Sequence, residues 1–395
     1  MRKDWEYKKL KDICSFVGDG DWIESKDQSN AGLRLIQTGN IGNGIFHDKA
    51  EKAKYISEST FIELSCTEIF HGDCLLSRLP DPIGRSCILP QLNERAITAV
   101  DCTILRFTNK IYPTFFVYYT LSTPYAISII SKTTGSTRKR ISRKNLEGIL
   151  IPIPPKPTQL AIVAELDKIN ELIQLKKEQL KDYDQLAQSI FYEMFGDPVE
   201  NEKGWEVKNI ESVCSSIVRG PFGSALKKDF FVPKNNSTYK IYEQKNAIQK
   251  NASIGSYYIT EERFKELSRF ELLPGDIIMS CSGTIGELYR IPVNAEKGIM
   301  NQALLKFSLL KQINFLYFLY LMDYVKKEFT IRGSGLQNIG SVKIIKSMKF
   351  GLPPLPLQQQ FAARIEAIER QKQQVSETIK DLETLLASRM QYWFD

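Results

Sequence analysis

The chain has 395 residues, of which 43% are hydrophobic and 25% charged, and a net charge of +7. That length exceeds one ordinary core and suits two domains of roughly 150 residues plus connecting elements. The surplus of base mildly favours a polyanionic partner. Two histidines (His47, His71) and seven cysteines without a CxxC pair speak against a structural zinc site and fit a reducing cytoplasm.

Met1-Arg2-Lys3-Asp4-Trp5 lacks an apolar stretch and does not read as a signal peptide. Short β-rich runs follow, such as Ala96-Ile97-Thr98-Ala99-Val100 and Ile149-Leu150-Ile151, separated by Gly-rich turns, with one or two helices near 113–131. A helix of nearly 40 residues comes next, opened by Pro157 and stopped at Gly196-Asp197-Pro198. The same series then repeats. The apolar run Ile313 to Met322 reads as a buried helix, too short to span a bilayer. A second long helix opens near Pro356.

The repeat has an offset near 200 residues. Trp5-Glu6-Tyr7-Lys8 returns as Trp205-Glu206-Val207-Lys208, and Cys14-Ser15 as Cys214-Ser215. Gly72-Asp73 and Ile83-Gly84 return as Gly275-Asp276 and Ile285-Gly286. Gly135-Ser136 returns as Gly333-Ser334, and Pro154-Pro155 with Gln159 as Pro353-Pro354 with Gln358. Anchors matched in one order mark a duplicated unit. The expected architecture is α+β: domain 1 over 1–155, a central helix over 156–197, domain 2 over 198–354 and a C-terminal helix over 355–395.

Both long helices carry a seam on an alternating 4-3 step. In the first it runs through Ile162, Leu166, Ile169, Ile173, Leu180, Tyr183, Ala187, Ile190 and Met194, interrupted at Lys176. In the second it runs through Phe361, Ile365, Ile368, Val375, Ile379, Leu382 and Leu386, with breaks at Lys372 and Arg389. Such a seam faces one partner helix, so the two helices are expected to pair as an antiparallel coiled coil. From Ile162 to Met194 the seam spans roughly 48 Å at 1.5 Å per residue, or about 14 base pairs of B-DNA. Two readers at the ends of such a rod would read two half-sites across a fixed gap.

In this order the segments Gly135-Ser136-Thr137-Arg138-Lys139-Arg140 leading into Ile151-Pro152-Ile153-Pro154-Pro155-Lys156-Pro157-Thr158-Gln159, and Gly333-Ser334-Gly335-Leu336-Gln337-Asn338 leading into Leu352-Pro353-Pro354-Leu355-Pro356-Leu357-Gln358, closely resemble type I restriction-modification specificity subunits. Where members of that family often carry Glu-Gln, this chain has Thr158-Gln159 and Gln358-Gln359. The resemblance covers the whole chain. It implies a non-catalytic subunit that binds double-stranded DNA and two methyltransferase (modification) subunits, and optionally restriction subunits. S-adenosylmethionine then belongs to the modification subunits, this chain binds no cofactor, and the complex methylates adenine within a bipartite target in the cytoplasm. The helices would be both spacer and docking surface.

Base edges are read by Arg, Lys, Asn or Gln, and phosphates by Lys, Arg or turn N–H groups. The strongest candidate is the acid-free stretch holding Lys132, Arg138, Lys139, Arg140, Arg143 and Lys144; its second copy offers Arg332, Gln337 and Asn338. Further candidates are Arg34, Gln37 and Asn40, with rough counterparts Lys240, Gln244, Lys245 and Asn246. Ser77, Arg78 and Arg85 share a loop whose second copy includes Ser282 and Thr284, and Arg219, Lys227 and Lys228 flank Gly220-Pro221-Phe222-Gly223.

Enzymatic readings have little to stand on. Gly196-Asp197-Pro198-Val199 lacks the second proline and aromatic of a base-binding methyltransferase motif, and no phosphate-binding loop is present. Asp197 with Glu206-Val207-Lys208 resembles a nuclease set, but Glu6-Tyr7-Lys8 repeats it where a structural first strand is expected. The competing class is an interaction scaffold, with a coiled-coil assembly rod and protein-binding domains.

Overall fold

The computed structural model describes residues 5–135, 139–331 and 342–395. The chain forms two compact units: Met1–Glu178 with Ser376–Asp395, and Gln179–Val375. Each therefore takes a domain together with part of both long helices.

In the first unit, strand Glu6–Lys9 pairs antiparallel with Leu150–Ile153. An antiparallel sheet follows in the order Cys14–Asp19, Cys102–Phe107, Cys74–Ser77, Ser86–Ile88. Its central strands are covered on both faces. Cys74, Leu76 and Leu105 enter one apolar cluster while Leu75 and Ile104 enter another, as the two-residue period of a strand dictates. A mixed sheet orders Gln28–Ser29, Lys54–Ile56, Leu33–Ile36, Ala96–Thr98 and Glu68–Ile69, with Leu33–Ile36 parallel to Ala96–Thr98. Helices Pro113–Thr120 and Thr123–Ser131 bury Phe115, Phe116, Tyr125 and Ile129. They are separate because Ser122 caps the second, its Oγ accepting from Tyr125 N, and Pro124 stands in that helix's first turn.

The second unit repeats this frame. Glu206–Asn209 pairs with Lys349–Leu352, so Glu6-Tyr7-Lys8 and Glu206-Val207-Lys208 are both first-strand residues. The antiparallel sheet runs Cys214–Arg219, Leu304–Leu309, Ile277–Ser280, Leu288–Arg290. The mixed sheet runs Tyr258–Thr260, Thr238–Tyr242, Gly298–Met300, Glu271–Leu272, again with one parallel pair. The counterpart of Gln28–Ser29 is a single bridge, Val232 to Tyr258. The apolar run near 313–322 lies in one continuous helix, Phe315–Ile331, which buries Tyr317, Phe318, Leu321 and Met322.

The long helices span Lys156–Phe195 and Leu355–Phe394. Pro157 and Pro356 stand second rather than first in them, still within the turn whose N–H groups have no helical acceptor. Gly196 ends the first helix at φ +68°, its N–H donating to Tyr192 O at 2.8 Å, a left-handed cap that suits glycine. Within the first unit Glu165 meets Arg389 and Lys177 meets Glu383, so the helices run in opposite directions. Within the second unit Asp184 meets Lys372 and Phe191 packs on Phe361, giving the same antiparallel sense.

Candidate nucleic-acid interface

The basic stretch of the first unit is a hairpin, Thr133–Thr134 paired with Arg140–Ile141. Its base is fixed by Ile141 N donating to Arg78 O at 3.3 Å and Asn145 Nδ2 donating to Lys132 O at 2.9 Å. Ser142 Oγ accepts from Asn145 N and starts the short helix Arg143–Glu147. Lys139, Arg140, Arg143 and Lys144 are exposed. Arg143 stays about half exposed while facing Asp19 at 3.7 Å and Glu147 at 3.3 Å. Cations on a hairpin rigid at its base are suited to phosphates. Arg138, and in the second half Arg332, Gln337 and Asn338, lie outside the described residues.

Five candidates of the first unit are internal, which corrects the expectation for them. Arg34 is only 4% exposed and paired with Asp48 and Glu94. Arg85 donates to four carbonyls: Ile41 at 2.6 Å, Leu79 at 2.8 Å, Pro82 at 2.9 Å and Thr38 at 2.8 Å. Burial pulls its pKa below the ordinary guanidinium value. Arg78 donates to Val100 O at 2.6 Å and lies 3.5 Å from Asp19. Ser77 is fully buried, its Oγ donating to Leu79 O. Asn40 accepts from Gln37 N and donates to His47 O, both at 3.0 Å. A buried, bonded group would have to break these bonds to reach a duplex, and nothing would then satisfy what it leaves. Gln37 remains partly exposed.

The second unit repeats the internal set with different residues. Lys240 takes the place of Arg34 and pairs with Glu296 at 3.5 Å. Asn246 does the work of Asn40, accepting from Glu243 N at 2.8 Å and donating to Asn251 O and Ile254 O at 2.9 Å. It too is buried, so it leaves the reading set. This register sets Gln37 beside Glu243 and Gln244 beside Thr38, one position away from the pairing expected from sequence. Gln244 and Ser282 are partly exposed, and Thr284, Lys227 and Lys228 are exposed. Arg219 donates to Gln302 O at 3.2 Å, with its guanidinium 5.3 Å from the Phe222 ring.

On the helices, Ile162, Leu166, Ile169, Ile173, Phe361, Ile365, Ile368, Val375 and Ile379 are buried, while Leu180, Ile190, Leu382 and Leu386 are partly buried. Two of the polar breaks, Lys372 and Arg389, have partners on the facing helix. Lys372 Nζ meets Asp184 at 2.8 Å. Glu165 accepts from the Arg389 guanidinium and from Trp393 Nε1 at 2.9 Å, and Arg389 holds its carboxyl below the usual range.

Sequence reasoning left Gln159 and Gln358 without a role. Both are fully buried. Gln159 Oε1 accepts from Tyr112 N at 2.8 Å, and its Nε2 donates to Lys110 O and Pro154 O. Gln358 Oε1 accepts from Asn314 N at 2.8 Å, and its Nε2 donates to Pro353 O. Their identical spacing from the Pro-Pro pairs was the available signal.

All seven cysteines are free thiols. Burial pushes Cys14, Cys87, Cys102 and Cys214 up to about 12, and Cys66 and Cys281 to about 11, so none is a thiolate nucleophile near neutral pH. Among the described residues no group of three or more His, Cys, Asp or Glu side chains is placed to hold a metal. No helix among them is long and apolar enough to cross a membrane.

The type I restriction modification DNA specificity domain matches residues 2–182 and again 202–384. The type I restriction enzyme MjaIX specificity subunit of Methanocaldococcus jannaschii is 24% identical, over 93% of this chain and 87% of its own length. The MjaVIII specificity subunit of the same organism is 20% identical, over 97% and 92%. A solved chain described under the structural basis of complex assembly and conformational transition of the type I R-M system has the same fold, with a TM-score of 0.67 and 18% identity over 100% of this chain and 98% of that one. With two such domains in tandem, the chain belongs to the type I restriction modification DNA specificity family and is a specificity subunit of a type I restriction-modification system.

Proposed function

We propose that this subunit reads a bipartite duplex target, one half-site per domain, and delivers it to two modification subunits that methylate adenine using S-adenosylmethionine. Restriction subunits join the same complex optionally, and the work takes place in the cytoplasm. The paired helices set the gap between half-sites and dock the modification subunits; the loops set the letters.

One observation carries this reading. The buried frame is the same in both domains, while the exposed loop chemistry differs. Asp73 pairs with Arg106, and Asp276 lies 3.7 Å from Lys306, which stands two residues earlier on the matching strand. The Arg34–Glu94 pair is matched by Lys240–Glu296. Against that constancy, Arg219 stands where the first domain has Asp19. One scaffold with two different loop sets suits two different half-sites.

The groups proposed to meet DNA are Lys139, Arg140, Arg143, Lys144 and Gln37 in the first domain, and Arg219, Lys227, Lys228, Gln244, Ser282 and Thr284 in the second. The test is to map methylated adenines in a genome carrying the modification subunit with and without this chain. A split motif with a constant gap that depends on this chain supports the proposal; methylation unaffected by its loss overturns it. The scaffold reading is separated by salt, since a phosphate-neutralising reader loses affinity linearly in log salt.

A further inference from the structure

The turn that follows the first strand of each antiparallel sheet has a shared design. Cys14–Asp19 leads into Gly20-Asp21-Trp22, and Cys214–Arg219 leads into Gly220-Pro221-Phe222. Gly20 N donates to Cys102 O at 2.8 Å, and Gly220 N to Leu304 O at 3.0 Å. A Cβ at Gly20 would lie 2.3 Å from Ala99 O, and one at Gly220 would lie 1.9 Å from Asn301 O. Only glycine permits that approach of backbone to backbone. Two residues later each domain presents an aromatic ring to solvent, Trp22 at 70% exposure and Phe222 at 66%. Among the described residues these are the two most exposed aromatic side chains.

A single exposed ring needs no explanation. Two rings at equivalent positions of two otherwise diverged loop sets do, because each forfeits the burial that large aromatics ordinarily gain. Their surroundings indicate the partner. Asp19, three residues before Trp22, faces Arg143 at the foot of the basic hairpin. Trp22 Nε1 leans 3.4 Å towards Glu24, whose carboxylate is already paired with Lys26 at 2.9 Å. Phe222 lies under the Arg219 guanidinium, and Lys227 and Lys228 follow. The Phe222 ring beside a cation matches the surface that wedges at base steps while phosphates are held alongside, and Trp22 holds the equivalent place next to Asp19 and Glu24, each of which is paired with a cation, Arg143 and Lys26.

We infer that Trp22 and Phe222 are DNA-contacting residues, each packing its ring against a base step of the half-site its domain reads. This rests on the two-half-site reading above and adds an uncharged contact to it. The ring supplies affinity without counterion release. The replacement of Trp by Phe, and of Asp19 by Arg219, makes the contact different in each half-site.

The test uses the full chain assembled with its modification subunits. The probes are a duplex carrying the mapped methylation target, the same duplex with 2-aminopurine stepped through each half-site, and a scrambled duplex. Trp22→Ala and Phe222→Ala are each expected to lose about tenfold or more in affinity for the target, the order that aromatic stacking on a base supplies. The slope of log affinity against log salt should stay unchanged. 2-Aminopurine emission should rise on binding of the parent complex in one half-site and fail to rise in the matching variant. Trp22→Phe should keep most of the affinity and the emission change. Alanine variants with parental affinity and emission would overturn the inference while leaving salt-dependent target binding by the parent complex, and hence the two-half-site reading, intact. Loss of assembly with the modification subunits, with normal DNA binding by whatever assembles, would also overturn it, marking the rings as a protein contact. A parent complex that binds target and scrambled duplex alike would remove the underlying reading itself.

Discussion

Gln159 and Gln358 share two bonds in the two domains. Each accepts a backbone N–H from the start of the domain's helical segment (Tyr112 or Asn314) and donates to the proline carbonyl that precedes a long helix (Pro154 or Pro353). The amide thus sets the corner at which a strand becomes a long helix, and it does so where water cannot substitute.

Replacing either glutamine by alanine should cost about 1–3 kcal/mol of stability, because buried backbone groups lose their partners. Urea unfolding of Gln159→Ala and Gln358→Ala checks this. The midpoint should fall, while the methylated motif stays that of the parent in whatever protein remains folded.

Arg138→Ala, Lys139→Ala and Arg140→Ala combined should weaken DNA binding by the assembled complex. The salt slope should flatten by about 0.9 for each phosphate contact removed. Titration of a labelled duplex at several salt concentrations reads this, and a slope equal to the parent's would discard the hairpin as a phosphate contact.

Arg85→Ala should behave in the opposite way. Its guanidinium ties Thr38 and Ile41 to Leu79 and Pro82, so its loss should lower the first unit's melting temperature and leave the salt slope unchanged. The same holds for Arg34→Ala, which would leave Glu94 without that partner.

Glu165 gives a pH signature. Hydrogen bonds from Arg389, and secondarily from Trp393, hold its carboxyl below the ordinary glutamate value in the folded chain. A depressed folded-state value contributes stability above the unfolded value of about 4.3, and that contribution is lost as pH falls through the folded one. Glu165→Gln should therefore lower stability at neutral pH and shrink the loss on acidification. Denaturation midpoints measured from pH 7 downwards report both effects.

The repeat and the seam were legible because both are spacings along the chain: a near-constant offset between short anchors for the repeat, a 4-3 step for the seam. Trp5 and Trp205, the Gly-Asp turns and the 4-3 spacing from Ile162 to Ile190 each carry their meaning within a few residues. The fates of individual loop cations were not legible. Arg34 and Arg85 look like readers until their partners are known, and Glu94 and Ile41 stand 60 and 44 residues away. The pairing of Gln37 with Gln244 slipped by one because the frame offset inside the mixed sheet differs from that at the anchors. Asn40 and Asn246 carry the true register, through matched bonds to backbone. Trp22 and Phe222 share the common offset, but a lone exposed ring has no signature in sequence.

The most direct test is a methylated-adenine map made with a chain carrying four extra residues in the first long helix, between Ile173 and Leu180. Those residues add about 6 Å of helix, just under two base pairs. Both half-site letter sets should stay as in the parent, with the gap between them longer by one or two base pairs. New half-site letters across an unchanged gap would contradict the division of labour between helices and loops.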